Sequence, residues 1–534
     1  VSAPAQSGAG APPSPPKKIP WLGLAAVLLG TFISTLTTRF SGFGLADIRG
    51  GVHAGFDEGS WITTAQSVGQ MIMAPISVWI GGVYGPRRVL IAAALAFAAI
   101  EAMAPFSRNL TELLILQFAG GLASGTFVPL TLSFILMAMP PKYWAYGVAV
   151  YALNLDLSVN IAVALEGFYV DHLSWRFIFW QNVPLALAMA LCLHIGVART
   201  PPGPDKPKPD LYGFAAGGLS LGLVYAALDQ GNRLDWLNSG LICGLLLAGV
   251  VMFAGFLIHE MRTSNPGVDL SVVARSPMPQ QLILISFVRV ATLSTSFLIP
   301  QYLGVVRGYR GLEVGQALFW VAIPQLALCP LAGFLLRRTD SRMVTAIGLV
   351  MIAIACLQVA WSITPLWGTD QFLPSTLLQA LGQAFALTGV FIYGILHLKL
   401  EERLTFGAAI QTARLFGSEV GSAFVVTLNR VRAQTASNHI GLHVQVGDWL
   451  VTQRLQVLTR VAARTNGEAR APARAIDILA NQVRSAAATQ AIIDCYVALA
   501  ALTALALILL ASQKAPPPGP GSPKPLFSRR SKSG

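Results

Sequence analysis

The chain has 534 residues, of which 54% are hydrophobic and only 11% charged, and its formal net charge is +13. Soluble domains carry about 25% charged residues and their cores stop growing beyond roughly 250–300 residues, so this much apolar surface excludes a soluble globular protein and makes lipid the solvent. The basic residues are scattered between apolar stretches, which reads as membrane topology and argues against nucleic acid as a partner.

A helix crossing ~30 Å of hydrocarbon needs about 20 mostly apolar residues, and only helices or closed barrels satisfy their backbone groups there. Fourteen stretches are long and apolar enough: 21–46, 60–83, 88–105, 110–137, 146–168, 177–197, 211–228, 239–259, 281–304, 314–336, 343–363, 374–397, 407–429 and 489–512. The expected fold is therefore all-α, a polytopic membrane protein with 14 transmembrane helices. No small-residue cleavage site follows the first stretch, so it is expected to be retained as a span. An even count places both ends on one side. That side collects Lys17, Lys18, Arg87, Arg88, Lys142, Arg199, Arg337, Arg338, Arg342, Lys399 and Arg403, so both termini are expected in the cytoplasm.

Composition then divides the chain. The tails 1–19 and 513–534 are proline-rich and read as disordered. RTPPGPDKPKPD at 199–210 is a cytoplasmic linker separating six spans (20–198) from a further pair (211–260). A loop at 261–280 precedes the last six spans (281–512), which carry a long polar insertion at 430–488. Within 444–488, Val451, Leu455, Leu458 and Ala462 recur at helical spacing. This predicts an amphipathic helix, either lying on the outer face or docking a partner.

Cys192, Cys243, Cys329, Cys356 and Cys495 all lie in apolar stretches without a CxxC pair and read as packing residues. No GxxxxGK[ST] loop, nucleophile–base arrangement or histidine–carboxylate cluster stands out, so neither an enzyme, a cofactor nor a metal is expected.

Particular motifs narrow the class. SWRFIFWQNVP lies at 174–184, LDQGNRLDWLNS at 228–239, His259-Glu260 and NPGVDL (265–270) after span eight, IPQYLGVVRGYRGLEVGQALFWVAIP at 299–324 and RLFGSEVGSAF at 414–424. In this order the chain resembles the fourteen-span branch of the major facilitator superfamily, the EmrB/QacA-type drug:proton antiporters. The resemblance runs from about residue 20 to 512. It implies two six-helix bundles, plus two extra helices, facing each other across a midplane cavity and rocking about it. It also implies a bacterial inner membrane, a small-molecule substrate, protons and the lipid bilayer as partners, and a periplasmic adaptor with an outer-membrane channel.

The chain departs from that family at its charges. After span two, VWIGGVYGPRRVL keeps Gly85, Arg87 and Arg88, but Gly82 stands where the family has an acidic latch residue. Arg337, Arg338 and Asp340 hold the matching place after span ten. Span one has Thr37 in place of an Asp and gains Arg39. Span four has Gln117 in place of an Arg. In span five the glycine-proline antiporter motif is replaced by NLDLSVNIAVALEG, which brings in Asp156 and Glu166. Span thirteen carries Arg414 and an unusual Glu419.

A charge within hydrocarbon costs about 2.5–3.5 kcal/mol on insertion scales, so these groups are expected to face a cavity or one another. Arg39 and Asp156 are expected to pair, whether as a structural ion pair, a proton-coupling site or a contact for an anionic or zwitterionic substrate. Glu166 and Glu419 are further proton-coupling candidates. Arg289 reads as a contact for an acidic substrate or as a partner of Glu419. Gln117, Arg414, Tyr151 and Asn154 complete the substrate-cavity candidates. Glu101, near the outer end of span three, is expected to reach water. The leading expectation is a proton-driven exporter of hydrophobic or amphipathic compounds. A carrier for an anionic metabolite, and a transporter-like sensor or assembly factor, are the alternatives.

Overall fold

The structure, a computed structural model, describes residues 21–140, 143–197, 210–263, 270–398, 402–445, 447–466 and 470–516. Outside the described residues lie the tail 1–19, the linker 199–210 apart from Asp210, most of NPGVDL, Lys142, Lys399 and all but the first residues of the tail 513–534.

Every element among the described residues is helical. In chain order the long helices are α1 (Trp21–Phe43), α2 (Phe56–Tyr84), α3 (Pro86–Phe106), α4 (Leu110–Leu136), α5 (Trp144–His172), α6 (Phe177–Gly196), α7 (Leu211–Gly231), α8 (Gly240–Arg262), α9 (Met278–Val305), α10 (Gly311–Leu336), α11 (Ser341–Ser362), α12 (Asp370–Leu396), α13 (Arg403–Leu442), α14 (Trp449–Asn466) and α15 (Ala471–Ala511). Among the described residues thirteen segments are long and apolar enough to cross a membrane. The fourteenth crossing is α13, whose apolar run is interrupted by Gln411, Arg414, Ser418 and Glu419. The protein is a multi-pass membrane protein with fourteen spans. The face where α1 begins and α15 ends is here the terminal face, and the opposite one the distal face.

Lipid gives no hydrophobic drive between helices, so close packing depends on small residues that let backbones approach. In the first bundle α2 lies against α4, where a Cβ on Gly121 would fall 2.1 Å from the Gln66 carbonyl oxygen. In the second, Gly348 of α11 meets Gly382 and Ala386 of α12. The bundles join along α5 and α10, where Gly167 packs on Leu312, Gly315 on Ala164 and Gly333 on Tyr146. The extra pair attaches to the first bundle through Gly218 and Gly222 of α7, both against Ile72 of α2. His259 of α8 bonds Asp210, the N-cap of α7, at 2.9 Å. α8 is the most lipid-exposed span, which fits its nearly unbroken apolar sequence.

Within the polar segment 430–488 the helix expected from the spacing of Val451, Leu455, Leu458 and Ala462 is α14, Trp449–Asn466. α13 and α15 run on beyond the membrane, and α14 packs back on α15 with Leu458 and Ala462 buried. The local sequence is rich in Ala, Arg, Gln and Leu, strong helix formers, and the helix stops near Gly447, whose φ is +95°. Arg432 of α13 pairs with Asp494 of α15 at 2.6 Å.

The terminal face is closed. Gly407 of α13 packs on the Pro129 backbone of α4. Ser133 donates to the Arg403 carbonyl at 3.1 Å, and Arg403 Nη1 donates to the Leu136 carbonyl at 2.7 Å.

Gly121→Val is expected to destabilise the protein by about 1–3 kcal/mol, because the site of its new side chain is already held by backbone. Gly244→Val on α8, where no atom lies within 4 Å, is expected to change nothing. Thermal unfolding of the two variants in detergent compares them directly.

Candidate functional site

A cavity of about 440 Å³ lies between the middle of the membrane and the distal face. Its walls come from α1, α2, α7, α9 and α13, that is, from both bundles and from the extra pair. On α9 the wall is a π-helical turn, Ser294–Leu298, just before Pro300. Proline has no N–H to offer the carbonyl of Ser296 and its ring crowds that oxygen, so the ladder loosens there. The Tyr496 hydroxyl of α15 donates to the Ser294 carbonyl at 2.9 Å, and Ser296 and Phe297 turn to the cavity. Such π turns recur at functional sites.

The cavity is strongly polar. Arg39, Arg289 and Arg414 line it, opposed by Glu419 and Asp229. Arg289 Nη1 lies 3.3 Å from Asp156 Oδ1, an ion pair with both side chains 3% exposed or less. It links α9 of the second bundle to α5 of the first. Asp156 Oδ2 and Arg289 Nε have no hydrogen-bond partner among the described residues, so the pair leaves bonding capacity unused. Arg414 donates to Gln411 Oε1 at 2.8 Å and to Thr35 Oγ1 at 3.1 Å but forms no ion pair among the described residues. Arg39 Nη2 donates to Ser418 Oγ at 3.4 Å, within electrostatic reach of Glu419. The Tyr225 hydroxyl of α7 lies in hydrogen-bonding reach of Ser67 and Glu419. Asp229 accepts from the Thr64 hydroxyl and from Gln230 Nε2 at 3.0 Å.

The expected pairing of Arg39 with Asp156 is therefore wrong. Arg289, expected beside Glu419 or a substrate, takes Asp156, and Arg39 lies with Glu419. The reason is depth: Arg289 and Asp156 share the midplane, whereas Arg39 stands further toward the distal end of α1. Glu101 does not reach water either. It is fully buried, because Asn182 of α6 caps it through a 2.9 Å hydrogen bond.

The remaining candidates lie outside the lining. Asn154 is bound to the Leu28 carbonyl and Thr31 of α1. Tyr151 packs on Phe391, ring centres 5.9 Å apart. Gln117 is buried in the first bundle. Glu166 lines a separate distal cavity. The residues that sequence reasoning missed are Tyr225 and Asp229 of α7. Asp229 lies within LDQGNRLDWLNS, a motif that marked the branch without suggesting a cavity wall.

The terminal-face motif residues are tied in unequally. Gly85 adopts φ +84°, which favours glycine, and ends α2. Arg87 donates to the carbonyls of Leu193 and His194 at 3.1 and 2.8 Å, fixing α3 to α6. Asp340 caps α11 and pairs with Arg342 at 2.7 Å. Arg338 rests on Phe334 of its own helix. Across the seam, the Arg337 guanidinium lies 5.6 Å from the Tyr146 ring centre, and that of Arg403 lies 5.2 Å from Trp144. Aromatic rings of α5 thus meet arginines where an acidic latch is absent.

Two bundles around a charged midplane cavity define a membrane transporter. The sequence matches the family model described as Major Facilitator Superfamily over residues 27–422, and the chain belongs to that family. It is similar to the probable multidrug resistance protein EmrY of Escherichia coli strain K12, 27% identical over 70% of this chain and 72% of that one. It is also similar to the fatty acid resistance protein FarB of Neisseria gonorrhoeae, 23% identical over 78% and 82% of the two chains. Among solved structures, the proton:xylose symporter XylE shares the fold with a TM-score of 0.56 at 12% identity, over 92% of this chain and 94% of that one. These relatives support the EmrB-type branch of the family that the chain's motifs resemble.

Removing one partner of a buried ion pair leaves an uncompensated charge and costs about 3–5 kcal/mol, whereas replacing both by apolar groups is close to neutral. Arg289→Met is therefore expected to destabilise strongly, and Arg289→Met with Asp156→Leu to recover most of the loss. A double-mutant cycle on thermal unfolding measures both.

Proposed function

We propose that the protein is a proton-coupled exporter of hydrophobic or amphipathic small organic molecules, working by alternating access in a bacterial inner membrane with both termini in the cytoplasm. One observation carries this reading: the Arg289–Asp156 pair bridges the two bundles at the edge of a cavity closed toward the terminal face. A proton on Asp156 removes the charge that holds Arg289. The guanidinium is then free to meet a substrate, and the bundles are free to part. Loss of the proton restores the pair. Glu419, beside Arg39 and Tyr225, repeats the arrangement closer to the distal face. The multidrug-resistance relatives support the substrate class. The distal extension of α13, α14 and α15, with Trp449 and Leu450 exposed, is the surface proposed for a periplasmic adaptor leading to an outer-membrane channel.

A second reading, a carrier for organic anions, is favoured by a specific feature: Arg39, Arg289 and Arg414 line one cavity, and Arg414 has only neutral partners in it.

The test is proton movement in proteoliposomes on addition of a panel of amphipathic compounds. Wild type is expected to exchange protons for substrate, and Asp156→Asn to lower the exchange by about tenfold or more while binding persists. Intact proton flux in Asp156→Asn, Glu166→Gln and Glu419→Gln alike would sink the coupling. Anion movement without protons would establish the second reading.

A further inference from the structure

The distal extension holds a cavity of its own, about 600 Å³, walled by one face of α14, by α15 and by the chain just before α14. Val451 and Leu455 of α14, Ile476 and Leu479 of α15, and Val444 make its walls mainly apolar. The α14 wall runs from Val451 to Arg460, about 14 Å at 1.5 Å per residue. This groove stands in water. α15 has 41 residues, which makes it roughly twice as long as the hydrocarbon layer is thick, and Ile476 and Leu479 belong to its first quarter, beyond the distal face. An apolar groove in water gains from covering its surface with another apolar group. Its volume is that of sites that enclose small organic ligands, about 300–1,000 Å³.

Charge selects the occupant. Among the described residues Arg460 is the one charged member of the lining, and it forms no ion pair there. The acids Asp448 and Asp477 are engaged elsewhere: Asp448 accepts from the Leu450 N–H at 2.8 Å where α14 begins, and Asp477 stands 4.0 Å from Arg474. The groove thus joins an apolar wall to a free guanidinium at one end. We propose that it binds a single-chain organic anion free in the distal aqueous phase. The alkyl chain lies along Val451 and Leu455, and the carboxylate or sulfonate meets Arg460, whose planar fork of donors suits such groups. Lying outside the central cavity and the bilayer, the groove can hold an amphiphile that has already left the membrane. The proposal concerns binding at the extension and depends neither on proton coupling nor on what the central cavity carries.

The probe is dodecanoate with a photoreactive diazirine at the end of its chain. It is cross-linked to the full-length protein in nanodiscs, and the labelled peptides are read by mass spectrometry. Wild type is expected to take the label on α14 and on the first turns of α15. Unlabelled dodecanoate is expected to suppress that label, and dodecyltrimethylammonium, a cation of the same chain length, to leave it. Arg460→Gln is expected to need about tenfold more probe for the same label, with Arg460→Lys between the two. Arg464, exposed on α14 outside the lining, is the control, and Arg464→Gln is expected to label as wild type does. Label confined to the membrane-spanning segments, equal suppression by the cation, or an unaltered half-saturation in Arg460→Gln overturns the proposal. So does an equal loss in Arg464→Gln, which would mean that net charge alone attracts the probe.

Discussion

A charge inside hydrocarbon has to find another group, and in this molecule the deepest one finds it across the boundary between the two bundles. The Arg289–Asp156 pair is almost wholly enclosed and joins α9 to α5. The pair is thus a direct charged contact between the two halves in the observed arrangement. Any state in which the halves separate must supply new partners, and the only mobile species of suitable chemistry are a proton, a substrate group and water. An ion pair at the seam is therefore a contact that any separation of the bundles would have to break. In a soluble protein, where solvent would screen the separated charges, the same two residues would couple far less.

The rest of the seam divides into parts that resist change and parts that allow it. Along α5 and α10, small residues bring backbone against backbone, as at Gly167 and Leu312 or Gly315 and Ala164. At these points the contact is backbone on backbone and involves no side-chain hydrogen bond. At the terminal face the closure rests on Arg337 over Tyr146, Arg403 over Trp144, and Arg403 on the Leu136 carbonyl. Cation–π contacts are worth about 0.5–2 kcal/mol, enough to favour the closed face and too little to lock it. Aromatic rings also keep their partner role when the local pH changes, which a carboxylate latch would not. Gly82 itself faces only Leu404 of α13, about 4.0 Å from where a Cβ would lie, so no charge meets the second bundle there.

Much of the fold was legible in the sequence because a membrane imposes one length and one polarity on each span. The predicted edges fall within a few residues of the helix ends for most spans. α13 was legible to the eye but not to hydropathy, since Gln411, Arg414 and Glu419 lower the apolar content of the very helix that lines the cavity. The amphipathic helix expected within 444–488 is present as α14, with Leu458 and Ala462 of its apolar stripe buried, because a helical period survives in a polar sequence. Charge pairing was legible only in part. Sequence position established that Arg39, Asp156, Arg289, Arg414 and Glu419 had to face inward, and all five are enclosed or line the cavity. Partner choice depends on depth and helix rotation, which no single span records. Glu101 failed for the same reason: its distance from the helix end suggested water, while the side chain that covers it, Asn182, comes from α6.

The placement of α7 changes what the extra pair is for. Tyr225 and Asp229 lie in the cavity wall, and Trp236 at the end of this hairpin donates to Thr427 of α13 at 3.2 Å. The Asp229 carboxylate is steadied by Thr64 and Gln230, and nearby Arg233 is drawn away to Asp57 at 3.0 Å. Its carboxyl group is held by neutral donors, with Arg233 turned aside to Asp57, and faces the cavity. α7 also bridges the first bundle, through Ile72 of α2, to the second, through α13. A helix in that position is in contact with both bundles at once. Two functions therefore meet on one helix, a charged wall for the central cavity and a flank that closes it from lipid, while α8 shields α7 on its outer side and faces lipid itself. On this geometry the fourteen-span design widens the chemistry of the cavity beyond what two six-helix bundles alone could place there.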